Sequence, residues 1–165
     1  MSVPGALDTS ILSDIAAVQV PESKIEDRKA VDALLELARQ GLVELGIAAT
    51  GAAIEQLRAG ERKRQIFASR LDGLLHIWPV VLTPDHHAEI ERKKACLKKI
   101  MQDRDGSDSE IFLVSTLHSQ YFLTTDYRYR RQFRQQEGHI REQCGITAHV
   151  LTPSEFLAKY VSGTV

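Results

Sequence analysis

Four acidic residues stand at positions where α/β proteins place ligand-binding side chains. Asp8 and Asp126 each follow a short apolar run that is typical of a strand, Glu55 lies in the first turns of the helix predicted after the second strand, and Asp108 opens a predicted helix. In an open α/β sheet, ligands bind outside the carboxyl ends of the strands. We therefore expect the four carboxylates at one edge of the sheet.

The chemistry expected of such a cluster is metal-assisted. Packed carboxylates repel one another and stay ionised together only when cations neutralise them. Hard oxygen ligands suit Mg²⁺ or Mn²⁺. Such ions polarise a phosphodiester and lower the pKa of an attacking water, so the pattern predicts phosphodiester hydrolysis.

Each acid also has an ordinary structural explanation. Asp8 and Asp108 could be helix N-caps, Glu55 could face solvent, and Asp126 could form a turn. Their joint placement is what favours a site.

Strand and helix patterns alternate along the chain. The predicted strands are residues 3–7, 42–49, 76–82, 121–125 and 146–151, and Pro79 assigns the third to an edge of the sheet. The predicted helices begin near Ser10, Asp27, Thr50, Thr83, Asp108, Tyr127 and Pro153. This alternation predicts an α/β fold, a three-layer α/β/α sandwich with a central, mainly parallel sheet of about five strands.

Composition limits the remaining possibilities. A chain of 165 residues, 43% hydrophobic and 26% charged, fits one domain over residues 1–165. The net charge of −1 excludes a histone-like polycation, although residues 1–60 carry −4 and residues 61–165 carry +3. No leader or membrane-spanning run is present, so we expect a soluble cytoplasmic protein with no membrane role. Cys96 and Cys144 are far apart and are predicted to be buried, reduced thiols.

Four segments resemble the PIN domain nucleases, and together they run along nearly the whole chain. Residues 7–12 (Leu-Asp-Thr-Ser-Ile-Leu) resemble the family's opening strand with its first catalytic acid. Residues 42–57 are similar to its second strand and the helix that bears the second acid. Residues 108–126 hold two acids eighteen positions apart, with Thr two before the last, which is the most specific match. Residues 150–157 are similar to the closing strand and helix, which commonly read Thr-Pro-x-x-Phe-Leu.

The resemblance implies a doubly wound α/β/α sandwich and hydrolysis of RNA with a divalent metal, often by a toxin held in check by an antitoxin. The acids carried over as catalytic residues and ligands of Mg²⁺ or Mn²⁺ are Asp8, Glu55, Asp108 and Asp126. The hydroxyls that would orient carboxylates or water are those of Thr9 and Thr124. Many members carry a further acid shortly after the last one, which this chain lacks. The alternatives are Glu110 or Asp105 as an accessory ligand, and Glu44 in place of Glu55.

A basic segment directly follows the last acid. Between Tyr127 and Arg141, five arginines are opposed only by Glu137. Arginine forks onto phosphates and aromatic rings stack on bases, so this segment is expected to hold RNA. The candidate RNA-binding residues are Arg128, Arg130, Arg131 and Arg134. The alternative is a solvated helix face with Phe133 and Ile140 packed inward.

The sequence thus predicts a metal-dependent endoribonuclease with RNA as substrate, an antitoxin as a candidate partner, and a homodimer. Apolar residues of the early helices could form a dimer face or simply the core: Ile11, Leu12, Ile15, Leu34 and Leu35. The principal alternative function is a catalytically weak PIN-like scaffold that binds RNA or a protein. A phosphatase of the haloacid dehalogenase type would need an acid at Ser10, and no phosphate-binding glycine motif of nucleotide-binding folds occurs.

Overall fold

A parallel sheet runs through the centre of the molecule. The computed structural model describes residues 2–101 and 107–161, without the side chains of residues 107, 108, 160 and 161. The strands are β1 (Val3–Leu7), β2 (Val43–Ala48), β3 (Leu75–Trp78), β4 (Tyr121–Leu123) and β5 (His149–Leu151). In the described ranges they form one five-stranded sheet in the order β3-β2-β1-β4-β5, with every pair parallel. The chain therefore winds outward from the central strand β1 in both directions.

Helices cover both faces of this sheet. They are α1 (Thr9–Ala16), α2 (Ile25–Arg39), α3 (Gly51–Arg58), α4 (Glu61–Leu71), α5 (Pro84–Ile100), α6 (Ser107–Ser115), α7 (Tyr127–Gln135), α8 (Glu137–His139) and α9 (Pro153–Phe156). A 3₁₀ turn (Glu22–Lys24) precedes α2, and π-helical turns (Ile140–Cys144 and Leu157–Val161) follow α8 and α9. One apolar core lies under α1, α2 and α4, and the other lies under α5, α6 and α7. The predicted three-layer α/β/α sandwich is confirmed.

Threonine side chains fix three of the helix starts. The hydroxyls of Thr50, Thr83 and Thr152 accept hydrogen bonds from backbone N–H groups of the first turns of α3, α5 and α9, at 3.1 to 3.2 Å. Such caps satisfy amides that have no partner within the helix. The helix starts predicted near Thr50 and Thr83 are both confirmed.

Several predicted element boundaries are wrong. The helical spacing that predicts α1 includes Val18, but α1 ends at Ala16 because the next residue is extended, which leaves Val18 59% exposed. Strand β3 lies at the sheet edge as predicted but ends at Trp78, because Pro79 has no N–H for the ladder. The basic helix predicted from Tyr127 to roughly Gln143 is interrupted at Gln136, which has a non-helical backbone.

The apolar residues of the early helices belong to the core. All five residues considered for a dimer face are at most 5% exposed and pack under the sheet: Ile11, Leu12, Ile15, Leu34 and Leu35. Burying each such side chain contributes about 1.5 to 3 kcal/mol. A homodimer, if formed, must use another surface.

The prediction of reduced thiols is wrong. Cys96, in the last third of α5, and Cys144, at the end of the π-helical turn after α8, form a disulfide across 48 positions of sequence. Cys144 is fully buried. The turn brings its side chain against α5, a proximity that no local sequence pattern reveals. The disulfide ties the end of the basic segment to the helix layer over the second core.

Gly46 makes room for the only tryptophan. A Cβ atom added to this central β2 residue would overlap the indole ring of Trp78, which also stacks on His118 at a centroid distance of 5.0 Å. We expect Gly46→Ala to lower the free energy of unfolding by about 1 to 3 kcal/mol, as for other overpacked sites. Chemical denaturation followed by tryptophan fluorescence measures this loss. Gly138→Ala, where an added Cβ meets nothing within 4 Å, is the matched control, and an equal effect of both would contradict the prediction.

Candidate functional site

Asp8 is held at the carboxyl end of the central strand. Its backbone N–H donates to the carbonyl oxygen of Leu123 at 2.9 Å, which extends the pairing of β1 with β4 by one residue. Its Oδ1 accepts from the backbone N–H of Thr9 at 2.8 Å, so Asp8 also caps α1. The residue is only 5% exposed. A buried carboxylate is thus fixed between a strand end and a helix start.

Two hydroxyl groups hold the other carboxylate oxygen. Oδ2 of Asp8 accepts from Thr124 Oγ1 at 2.7 Å and from Ser10 Oγ at 3.0 Å. The hydroxyl of Thr9 lies 3.5 Å from Oδ1, at the limit of a hydrogen bond. In the structure the hydroxyls in closest contact with Asp8 are therefore those of Thr124, as predicted, and Ser10. Ser10 follows Asp-Thr in the opening motif, and that position is the only sequence signal for it.

Thr124 connects the two acids that end β1 and β4. Its Oγ1, besides donating to Asp8, accepts from the backbone N–H of Asp126 at 2.9 Å. Asp126 in turn caps α7, because its Oδ1 accepts from the N–H of Tyr129 at 3.2 Å. Burial raises the pKa of Asp8, and the charge of Asp126 raises it further, although the hydrogen bonds from Thr124, Ser10 and Thr9 oppose the shift. A cation beside this pair would relieve the cost of keeping both ionised.

Neither of the other two predicted ligands has a described contact with this pair. Glu55 is an exposed residue of α3, with no described contact to Asp8 or Asp126. The side chain of Asp108, and all of Asp105, lie outside the described part of the chain. Among the described residues, no three His, Cys, Asp or Glu side chains are grouped so that they could hold a metal ion. Among the described side chains, the structure thus brings together Asp8 and Asp126, and the four-acid site stays a prediction.

The alternative acids lie elsewhere. Glu110 is exposed on α6 and contacts Lys94 at 3.9 Å. Glu44 is the second residue of β2 and pairs with Pro4 at the amino end of the sheet. Four residues separate Glu44 from the carboxyl end of β2, which corresponds to about 13 Å along the strand. Glu44 is therefore too far from Asp8 to replace Glu55.

The donor set fits a hard cation that needs only one or two protein carboxylates. Mg²⁺ binds proteins through one or two carboxylates and keeps waters and phosphate oxygens in its other positions. Asp8 and Asp126 meet that requirement. The hydrogen bonds to Asp8 stabilise its ionised form, which is the form that binds metal.

A second polar network fixes the segment that carries Asp126, and sequence analysis missed it. The hydroxyl of Thr125 donates to Asp14 Oδ2 at 2.6 Å, and its backbone N–H donates to Ser10 Oγ at 3.1 Å. Lys24 Nζ donates to the carbonyl oxygen of Thr125 at 3.4 Å. Helix α1 and the turn before α2 thereby both hold the segment that follows β4.

Asp27 is the buried acid of this network. It is 5% exposed, it accepts a hydrogen bond from the hydroxyl of Tyr127, and its Oδ2 lies 3.6 Å from Lys24 Nζ. Burial and the hydrogen bond to Asp27 raise the pKa of Tyr127 to about 12, so the phenol stays a proton donor. Helix α2 begins at Ile25, two residues before the predicted start. The sequence did contain a signal for the burial of Asp27, since this residue precedes Val31 by one helical turn on the apolar face.

Two of the four candidate RNA-binding arginines are engaged in ion pairs. Arg130 Nε and Arg134 Nη2 each lie 2.7 Å from a carboxylate oxygen of Glu155. Arg128 and Arg131 are exposed, and neither has an ion-pair partner among the described residues. The basic surface next to Asp126 therefore comes chiefly from these two side chains.

Protonation of Glu155 should be a main cause of the loss of stability in acid where α7 packs against α9. Burial raises its pKa, but Arg130, the N–H of Thr152 and Arg134 together outweigh burial and lower the pKa to about 2. The ion pairs therefore contribute fully above pH 4.5, the usual value, and are lost as the pH falls toward about 2. We expect Glu155→Gln to lower the free energy of unfolding at pH 7 by about 2 to 3 kcal/mol. Urea denaturation between pH 2 and 7 tests this.

The control for this experiment is Glu142→Gln, which removes an exposed acid from the π-helical turn after α8. We expect it to leave the pH profile unchanged. If Glu155→Gln were equally silent, the ion pairs would have no energetic role, and Arg130 and Arg134 would be available to bind phosphates.

None of the helices in the described ranges combines the length and hydropathy that crossing a bilayer requires. In comparisons with family models, curated proteins and solved structures, no family model, protein or structure matched this chain. The resemblance to the PIN domain nucleases accordingly stays a prediction from the residues that carry it.

Proposed function

We propose that the protein is a divalent-metal-dependent ribonuclease. The observation that carries the proposal is the pair of acids at the carboxyl edge of the sheet. Asp8 is a buried carboxylate held by Thr124 and Ser10, and Thr124 also contacts the backbone of Asp126. In this fold class, that edge is where ligands bind.

The metal would be held first by Asp8 and Asp126. Asp108 and Glu55 join them only through the resemblance to the PIN domain nucleases. When bound, Mg²⁺ or Mn²⁺ would polarise the phosphodiester and lower the pKa of the attacking water. The part played by the chain itself is to keep Asp8 ionised and oriented through its hydrogen bonds.

RNA is the proposed substrate because exposed cations flank the acids. Arg128 and Arg131 follow Asp126 by two and five positions and lie on the first turns of α7. A guanidinium group can bind phosphate through two parallel hydrogen bonds. Arg130 and Arg134, which are paired with Glu155, serve in this proposal mainly to fix α7 against α9.

A second candidate function is a scaffold of the same fold that binds RNA or a protein without cleaving. The absence of a third close carboxylate among the described residues favours it. An antitoxin partner, a homodimer and a cytoplasmic location remain predictions from the sequence. The Cys96–Cys144 disulfide argues against the cytoplasmic location, since stable disulfides are uncommon in the reducing cytosol.

Calorimetric titration with Mn²⁺ tests the proposal, followed by cleavage of single-stranded RNA in the same buffer. We expect the native chain to bind the ion and cleave, and Asp8→Asn and Asp126→Asn to do neither. Glu55→Gln measures whether that exposed acid takes part. Failure of the native chain to bind Mn²⁺ would contradict the nuclease and leave the scaffold as the better explanation.

A further inference from the structure

Tyr127 is an exposed aromatic residue that directly follows Asp126. It is 42% exposed, whereas the other two aromatic residues of α7, Tyr129 and Phe133, are at most 5% exposed. The aromatic surface beside the acid pair is therefore supplied by Tyr127. No step of the proposed reaction uses this ring.

The ring is anchored in spite of its exposure. Its hydroxyl donates to the buried carboxylate of Asp27, and its backbone belongs to the first turn of α7. Lys24 Nζ lies 5.7 Å from the ring centroid and also contacts Asp27 and the carbonyl oxygen of Thr125. An exposed side chain normally loses rotamer freedom when it binds a ligand. Here the folded protein has already restricted that freedom.

Two cations stand close to the anchored ring, one in space and one in sequence. Lys24 is partly exposed and lies over the ring, and Arg128 is the exposed neighbour of Tyr127 in sequence. A nucleotide has a flat base for an aromatic ring and a phosphate for a cation. Base stacking on an aromatic side chain needs an unpaired base, because bases within a duplex have both faces covered.

We propose that Tyr127 is the stacking platform for an unpaired nucleobase of the bound RNA, next to the scissile phosphate. The inference rests on the proposed ribonuclease function. Asp27 and Lys24 are positioning residues, since they act by holding the ring. Tyr127 selects single strands, while the exposed arginines bind the phosphates.

Binding without cleavage tests the platform separately from catalysis. A fluorescent single-stranded RNA decanucleotide is titrated in EDTA against the native chain and Tyr127→Leu, with anisotropy as readout. Stacking one base on an aromatic ring contributes roughly tenfold or more to affinity. We expect at least that loss in Tyr127→Leu, and native binding to a duplex of the same sequence that is weaker than to the single strand.

A series of decanucleotides, each lacking the base at one position, makes the test specific. One missing base should weaken binding to the native chain by roughly tenfold. The same oligonucleotide should bind Tyr127→Leu no more weakly than the intact strand does. Such non-additivity follows only if that base contacts that ring.

Two further variants separate stacking from folding. Tyr127→Trp keeps a flat ring and should retain the affinity and the effect of the missing base. Tyr127→Phe keeps the ring but loses the bond to Asp27, and should bind roughly threefold more weakly because the ring is no longer fixed. Thermal melting of each variant identifies any that is unfolded.

The outcomes distinguish the two proposals. Base-specific loss in Tyr127→Leu without cleavage by the native chain would support the platform and contradict the nuclease. Cleavage with equal missing-base effects in native and Tyr127→Leu proteins would overturn the platform alone. The platform would also be overturned if the native chain bound no single strand.

Discussion

Replacing Asp8 with Asn should abolish metal-dependent cleavage and, in EDTA, raise the melting temperature. Burial raises the pKa of Asp8, so the ionised side chain destabilises the metal-free fold at neutral pH. Asn keeps the shape and removes the charge, and the hydroxyls of Thr124 and Ser10 can rotate to accept from its amide. We expect a gain of about 1 to 2 kcal/mol, a size often reached when a functional group is removed for stability.

The direction of the pKa shift of Asp8 fixes how the stability of the native chain changes with pH. With the pKa of Asp8 raised in the folded state above the usual 3.8, the unfolded chain loses this proton first as the pH rises. The free energy of unfolding therefore falls as the pH rises from 3.8 through the raised value, and stays lower above it. The Asn variant should lack that fall. Urea denaturation of both proteins in EDTA across this range measures the difference.

Added metal should make the native chain more stable than Asp8→Asn, the reverse of their order in EDTA. A ligand at one hundred times its Kd stabilises the native state by about 2.7 kcal/mol. We expect Mn²⁺ to raise the melting temperature of the native chain and not that of Asp8→Asn, whose cleavage should fall by more than about 100-fold. Asp32→Asn, an exposed change on α2, is the control and should respond like the native chain. An unchanged response of Asp8→Asn to Mn²⁺ would place the metal elsewhere.

Loss of the Cys96–Cys144 disulfide should change the free energy of unfolding more than any single substitution considered above. The bond closes a loop across 48 positions. Treated as chain entropy, such a cross-link contributes about 4 kcal/mol. For a chain of this length, that loss corresponds to a fall in melting temperature of roughly 10 °C. The variant carrying Cys96→Ser and Cys144→Ala, compared with the native chain by calorimetry, tests the value.

Dithiothreitol supplies the matched control. It should lower the melting temperature of the native chain to that of the double variant and leave the double variant unchanged. A native chain that melts at the same temperature with and without reductant would show that the bond is not formed in solution. Mass spectrometry after alkylation counts the free thiols in each sample.

The fold could be predicted from the sequence because its determinants are local. Apolar runs followed by Asp8 and Asp126 marked two strand ends, and Thr50 marked a helix start. Element ends were less predictable where one residue decides them, as Pro79 does for β3. In the site, acids that cap the helix after their own strand were placed correctly, because strand and cap fix them together.

Contacts between distant segments could not be predicted in the same way. Glu55 sits within a helix, and spacing alone does not show which face of α3 it occupies. The bond from Tyr127 to Asp27 joins residues one hundred positions apart. Cys144 meets Cys96 only because a π-helical turn redirects the chain after α8. Each depends on the packing of whole elements, which leaves little trace in a local pattern.

The side chain of Arg134 covers part of one edge of the sheet and so protects the protein against aggregation. Its Nε donates to the carbonyl oxygen of Val150 at 3.2 Å, on the side of β5 that faces away from β4. Unpaired carbonyl groups on a sheet edge are a template for strands of other molecules. At the opposite edge, β3 has only four residues and is followed by Pro79. Substituting Arg134 would thus uncover one edge, and precipitation of such a variant would say nothing about its affinity for RNA.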